Sequence, residues 1–162
     1  MIILRLLLLG GVVAIFSSSL SLPAFWVAKG NEPRQEYSGI KCLMLSPFGA
    51  TNPAALANFL LPWWAYSLLR ASRQREASVY FKPLGISLVA LLLALTFLGQ
   101  TKITVAERGG DISSIVGYGP GYYRWVTSIA VACAGTAVLA LIQYFFAKRE
   151  QPIDRGIAMK ES

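Results

Sequence analysis

The sequence predicts an all-α membrane protein with four transmembrane helices, both termini in the cytoplasm and two extracytoplasmic loops. Three observations support this fold class. The 162 residues are 55% hydrophobic and only 14% charged, which is unlike a soluble domain built around a single core. Several apolar runs have about the length that a helix needs to cross a hydrocarbon layer of about 30 Å. Lys and Arg residues flank these runs, as they do at cytoplasmic helix ends. The whole chain, 1–162, is predicted to be one membrane domain.

The last apolar run, residues 125–147, contains no charged side chain and is the clearest span. Glycines and tyrosines precede it, and Lys148 and Arg149 close it. An aromatic belt at one end and a basic stop at the other orient such a helix. Small residues recur along it at every fourth position, a spacing that lets helices pack closely in lipid; they are Ser128, Ala132, Thr136 and Ala140. This row is predicted to face either the rest of the bundle or a second membrane protein.

The first apolar run is predicted to span the membrane over about residues 6–28, as a signal anchor rather than a cleaved signal peptide. One basic residue, Arg5, precedes it, and Gly10 and Gly11 would let a neighbouring helix approach closely. Residues 29–52 form the first outer loop, whose apolar second half is too short to cross and fits an interfacial or re-entrant segment. Cys42 in this loop is predicted to be either a lone thiol or the partner of another chain.

Residues 53–69 and 83–100 are predicted to be the second and third spans, joined by an inner loop over residues 70–82. Pro62 lies inside the second span and is expected to kink it, because proline removes one helical hydrogen bond. The aromatic residues that follow are expected near the cytoplasmic interface; they are Trp63, Trp64 and Tyr66. The basic residues of the inner loop indicate its cytoplasmic location and are candidates to bind lipid headgroups; they are Arg70, Arg73, Arg75 and Lys82.

The second outer loop, residues 101–124, mixes β-prone triplets with glycine-rich turns. Gly117, Gly119 and Gly121 are interpreted as a tight turn and not as a dinucleotide site, because no strand–turn–helix unit surrounds them. This turn is predicted to place four aromatic side chains at the membrane interface, where they are also candidates to contact a partner; they are Tyr118, Tyr122, Tyr123 and Trp125. Residues 148–162 are predicted to form a polar cytoplasmic tail.

The composition argues against several classes of function. The basic residues that give the net charge of +7 lie beside apolar runs. This placement favours a role in membrane orientation and lipid contact over nucleic-acid binding. The chain has no histidine, the usual ligand of haem and of many metals, so no cofactor is expected. The predicted spans hold no ionisable residue apart from Arg5 near one end, whereas ion-coupled transporters keep such groups at membrane depth. The outer-loop acids are scattered without pairing, so no enzyme is expected; they are Glu32, Glu36, Glu107 and Asp111.

Three segments, YSGIKCLMLS, NPAALANFLLPWWA and GPGYYRWVTS, resemble those of small four-helix bacterial inner-membrane proteins that belong to uncharacterised families. The resemblance covers most of the chain. It implies a multi-pass protein of the bacterial cytoplasmic (inner) membrane, with no stated activity and no site residues to transfer.

The sequence therefore favours a non-catalytic accessory or assembly subunit that binds another membrane protein, with membrane lipids as further partners. One alternative is an immunity or protection protein that acts by contact against a membrane-active toxin. A second alternative is a component for lipid or small-molecule transport, using a groove between the second and last helices.

Overall fold

The computed structural model describes residues 2–28, 33–45, 53–71, 77–105 and 111–149. This part of the chain is mostly helical and also contains one antiparallel sheet. The α-helices are α1 (Ile2–Leu20), α2 (Gly39–Leu45), α3 (Pro53–Arg70), α4 (Phe81–Thr96) and α5 (Pro120–Arg149). The strands are β1 (Pro23–Ala28), β2 (Gln35–Ser38), β3 (Lys102–Val105) and β4 (Asp111–Tyr118). Short 3-10 turns over Ala77–Tyr80 and Phe97–Gly99 flank α4.

Three helical segments in the described residues are long and apolar enough to cross a membrane. They are Ile2–Leu20, Ser78–Gly99 and Pro120–Lys148, and they are compatible with a multi-pass membrane protein. Helix α3 has 18 residues and continues through Pro62, but it is not one of the three. Asn58, Pro62 and the Trp63–Trp64 pair make it less apolar than the others. The structure thus confirms three of the predicted apolar helices as candidate spans.

The prediction of an all-α fold is wrong, because the two predicted outer loops contribute to a four-stranded antiparallel sheet. Its strand order is β2-β1-β4-β3. The two central strands come from distant parts of the chain, since Phe25 pairs with Tyr118 and Ala28 pairs with Ser114. This pairing gives hydrogen-bond partners to backbone N–H and C=O groups that would bind water in an irregular loop.

The first helix also ends earlier than expected. The sequence predicts a span over about residues 6–28, whereas α1 ends at Leu20 and residues 23–28 form β1. Proline cannot donate a helical hydrogen bond, so Pro23 prevents continuation of the helix. The residues after it, Phe25, Trp26 and Val27, are aromatic or β-branched and favour a strand.

The sheet lies against one end of the helices, which we call the sheet end. Leu22 and Pro23 approach the start of α5 so closely that a Cβ on Gly119 would lie 2.3 Å from the Pro23 carbonyl oxygen. A Cβ on Gly121 would lie 2.7 Å from the Leu22 carbonyl oxygen. Close backbone approach therefore requires Gly119 and Gly121, whereas a Cβ on Gly117 would make only an ordinary contact with the Trp26 ring, at 3.5 Å. Helix α5 begins at Pro120, five residues before the predicted span, and proline is well suited to the first helical position.

At the sheet end, buried aromatic and apolar side chains join the sheet to the helices; they are Ala24, Phe25, Val27, Tyr37, Phe97 and Tyr122. A second core lies among the helices and includes Val12, Trp64, Tyr80, Ala90 and Ile129. Helix α5 packs against α1 and α4, and α4 packs against α3. Arg5 lies near the far end of α1, and we call that end of the helices the Arg5 end.

Candidate interaction surface

The small-residue row of α5 faces the interior of the chain. Ser128, Ala132 and Thr136 are completely buried, and Ala140 is half-buried against the helical core. The row therefore takes the first of its two predicted orientations, toward the bundle. In this conformation its buried side chains are not available to a second protein, and an interaction surface must lie elsewhere.

Two tryptophans connect α5 to α3. The Trp64 indole N–H donates to Thr136 Oγ1 at 3.0 Å, and the Trp125 indole N–H donates to Asn58 Oδ1 at 2.9 Å. Trp64 is only 1% exposed, so it lies inside the bundle rather than at the interface where the sequence placed it. The space between α3 and α5, where the transport hypothesis requires a groove, is crossed by these two side chains. The second of these bonds joins a polar side chain of α3 directly to α5.

Arg5 is buried and bound to α4. It is 3% exposed and Tyr80 is not exposed at all. Arg5 Nε donates to the Tyr80 hydroxyl oxygen at 2.7 Å, and a terminal nitrogen donates to the same atom. The guanidinium carbon lies 5.1 Å from the centroid of the Tyr80 ring, a distance at which the ring face attracts a cation. The one charged residue of α1 therefore fixes that helix to the start of α4.

The aromatic residues predicted at the outer interface divide into two groups. Tyr122 is 3% exposed and donates to the Ala94 carbonyl oxygen at 2.9 Å. Tyr118 donates to the carbonyl oxygens of Phe97 and Gln100 at 2.7 and 3.0 Å. Tyr123 is 56% exposed and remains open to a partner or lipid. Trp125 is half-buried. Two of the four side chains, Tyr118 and Tyr122, therefore stabilise the contact between the sheet end and α4.

Tyr118 lies outside the candidate spans and remains a hydrogen-bond donor at neutral pH. Burial and, secondarily, the neighbouring Tyr123 raise the pKa of the Tyr118 hydroxyl above its usual value. The protonated form is the one that donates to carbonyl oxygens. The hydroxyl thus supports the same contact between β4 and the end of α4 across the physiological range of pH.

Of the residues predicted to bind lipid headgroups, Arg70 and Lys82 are exposed. Arg73 and Arg75 lie outside the described residues. The Lys82 ammonium nitrogen is 6.0 Å from the centroid of the Trp63 ring. Trp63 and Tyr66 are 53% and 59% exposed, as expected for interfacial aromatic residues.

Helix α1 presents an open apolar face. Its buried residues, Arg5, Val12 and Ser19, form one narrow stripe at seven-residue spacing. The opposite face is exposed and apolar, and includes Ile3, Leu7 and Val13. A Cβ added to Gly10 or Gly11 would meet no atom of the chain within 4 Å. A second helix could thus approach the backbone of α1 closely at these glycines. No helix in the described part of this chain does so.

Cys42 lies on α2 beside the core of the sheet end. It is half-buried and forms no disulfide. Burial raises the pKa of its thiol to about 12. Since the thiolate is the reactive species, the raised pKa lowers the reactivity of this thiol at neutral pH. That Cys42 is either a lone thiol or the partner of another chain stays a prediction.

We expect iodoacetamide to alkylate Cys42 slowly at pH 8 and the rate still to rise about tenfold per pH unit at pH 9.5, because burial holds the pKa of this thiol well above that pH. The reaction is followed by mass spectrometry in a Cys133→Ala background. An exposed control is Ile40→Cys in a Cys42→Ser, Cys133→Ala background, which should react with the pH profile of an ordinary thiol. A midpoint near the usual value for Cys42 itself would contradict its burial.

In the residues that the structure describes, no group of three or more Cys, Asp or Glu side chains could hold a metal ion. Sequence reasoning missed Phe25, Tyr37 and Phe97, which form the aromatic core beside the sheet. The aromatic and β-branched residues after Pro23 were an available signal for a strand that contains Phe25. It also missed Tyr80 as the partner of Arg5, for which no local pattern exists.

No family model, curated protein or solved structure matches the chain.

Proposed function

We propose that this chain is a multi-pass protein of a bacterial inner membrane and acts as a non-catalytic accessory or assembly subunit that binds another membrane protein. The observation that carries the proposal is the open face of α1. Exposed apolar faces of this kind contact either lipid or protein, and Gly10 and Gly11 provide the small side chains that allow close packing by a second helix.

The distribution of charge supports an orientation with the Arg5 end in the cytoplasm. The described charged residues near that end are all basic; they are Arg5, Arg70, Lys82, Lys148 and Arg149. At the sheet end the described charged residues are of both signs, two acidic and four basic; they are Glu36, Asp111, Arg34, Lys41, Lys102 and Arg124. An excess of Lys and Arg marks the cytoplasmic side of a membrane protein. In this orientation α3 forms a fourth span and the sheet is extracytoplasmic.

The polar side chains among the helices support a structural rather than a catalytic role. Asn58 and Thr136 each accept a hydrogen bond from a tryptophan of another helix. In lipid such bonds contribute about 1 kcal/mol or less each to helix association. They are therefore suited to hold the helices of the subunit in register while α1 presents its open face.

The proposal is tested by photo-crosslinking in native membranes. A photoreactive amino acid at Leu7 or Ala14, both exposed on α1, should give a discrete protein adduct that also co-purifies in mild detergent. The same group at Leu92, exposed on α4, is the matched control for a lipid-facing position and should give no such adduct. Adducts with lipid alone at all three positions, together with purification as a partnerless monomer, would overturn the proposal.

A further inference from the structure

A mixed aromatic and basic surface lies at the Arg5 end, where α3 finishes and α4 begins. We call it the α3–α4 surface, and it consists of Trp63, Tyr66, Arg70, Phe81 and Lys82. All five side chains are exposed, Phe81 by 73%. The Lys82 ammonium lies 6.0 Å from the Trp63 ring centroid, so a cation on α4 and an indole on α3 occupy the same level of the bundle.

The described cations of this surface are Arg70 and Lys82. Arg5, the neighbouring basic residue on α1, is buried and bound to Tyr80, so it does not contribute to the surface. In the described ranges, the acidic residues Glu36 and Asp111 belong to strands at the other end of the molecule. No carboxylate of the described residues therefore lies beside Arg70 or Lys82. These two cations produce a positive potential at the ends of adjacent helices.

Farther from the Arg5 end, exposed side chains on the same two helices are apolar. Phe59 and Leu56 on α3 are 59% and 55% exposed. Val89 on α4 is 49% exposed and lies on the same helical face as Lys82, seven residues earlier. A ligand that covers both regions must be amphipathic. Its anionic group lies at the level of Lys82 and Arg70, and its hydrocarbon part lies against Phe59 and Val89.

We infer that the α3–α4 surface binds an anionic phospholipid. The lipid phosphate accepts hydrogen bonds from Arg70 and Lys82, while the indole of Trp63 and the phenol of Tyr66 lie among the headgroups with their apolar edges toward the acyl chains. The acyl chains cover Phe59 and Val89. This inference rests on the proposed insertion of the chain in a membrane, but not on the proposed partner of α1.

Tryptophan quenching by brominated lipids tests the inference. The purified full-length protein is reconstituted into vesicles of phosphatidylcholine and phosphatidylglycerol, with bromine on the acyl chains of one lipid at a time. The fluorescence lost on Trp63→Phe isolates the signal of Trp63. We expect brominated phosphatidylglycerol to quench this signal more strongly than brominated phosphatidylcholine at equal mole fraction. Arg70→Gln and Lys82→Gln should each lower the preference for phosphatidylglycerol, by up to about fivefold per charge.

The matched control is Lys41→Gln at the sheet end. Lys41 is also exposed and lies 5.8 Å from the ring centroid of Tyr37, so it reproduces the cation–ring pair without the α3–α4 surface. It should leave the preference unchanged. Equal quenching of Trp63 by the two lipids, or the same loss in Lys41→Gln, would overturn the inference. Quenching by neither lipid would instead contradict membrane insertion itself and with it the proposed function.

Discussion

Replacing Tyr80 by phenylalanine is expected to lower the free energy of unfolding by about 2 kcal/mol, the usual contribution of a hydrogen bond to a charged group. The substitution keeps the ring that lies under the Arg5 guanidinium but removes the oxygen that accepts from two of its nitrogens. Because Arg5 is buried, water cannot replace that oxygen freely. The measurement is unfolding in mixed micelles with increasing amounts of dodecyl sulfate.

A double-mutant cycle separates the lost bond from the buried charge. Arg5→Met keeps an unbranched apolar chain and removes the charge, so it should cost less than Tyr80→Phe. In the Arg5→Met background, Tyr80→Phe should then have little further effect. Tyr123→Phe removes the hydroxyl of an exposed tyrosine and should change stability by no more than about 0.5 kcal/mol. Equal stability of Tyr80→Phe and the wild type would show that another group stabilises Arg5.

Replacing Gly119 by alanine is expected to destabilise the protein by about 3 kcal/mol, at the upper end of the usual cost of overpacking. The new Cβ would lie 2.3 Å from the carbonyl oxygen of Pro23 and 2.9 Å from its carbonyl carbon. Both atoms belong to the backbone, so no side-chain rotation relieves the overlap. Separating the two segments would also break the hydrogen bond from the Gly119 N–H to the Ala24 carbonyl oxygen, 2.8 Å long. Thermal unfolding in detergent measures the effect.

Two other glycines provide a graded control. A Cβ on Gly135 would overlap Leu8 Cδ1, the mobile end of a side chain, so Gly135→Ala should have an intermediate effect. A Cβ on Gly11 would meet nothing within 4 Å, and alanine is favoured over glycine in a helix by up to about 1 kcal/mol, so Gly11→Ala should preserve or raise stability. If Gly119→Ala fails to fold, Gly121→Ala provides a second measure of the same contact. An unaltered Gly119→Ala protein would contradict the close approach of β1 to α5.

The helices were more accessible to sequence reasoning than the sheet. A helix forms its backbone hydrogen bonds within a local segment, so the uncharged run that became most of α5 could be identified from its length. The pairing of Phe25 with Tyr118 joins residues from opposite ends of the chain, and no local pattern specifies such a partner. Residues 23–28 were therefore assigned to a span on hydrophobicity alone.

Side-chain roles show the same difference. The spacing of Ser128, Ala132 and Thr136 identified a packing face, but the choice between the bundle and a partner depended on which helix approached it. The structure shows Trp64 bound to Thr136. Two adjacent indoles, Trp63 and Trp64, have similar sequence signals, yet one is exposed and the other is buried. Rotation of α3 relative to its neighbours decides this, and that rotation is a property of tertiary packing.

The central position of β1 in the sheet has a consequence for biogenesis. β1 can pair with β2 early, because the two strands follow one another in the chain. Its other edge pairs with β4, which leaves the ribosome only after α3 and α4 have been synthesised. During that interval the nascent chain carries an unpaired strand edge, which is a template for mispairing. The order of synthesis thus makes emergence of β4 the step that completes the sheet and ends this vulnerable period.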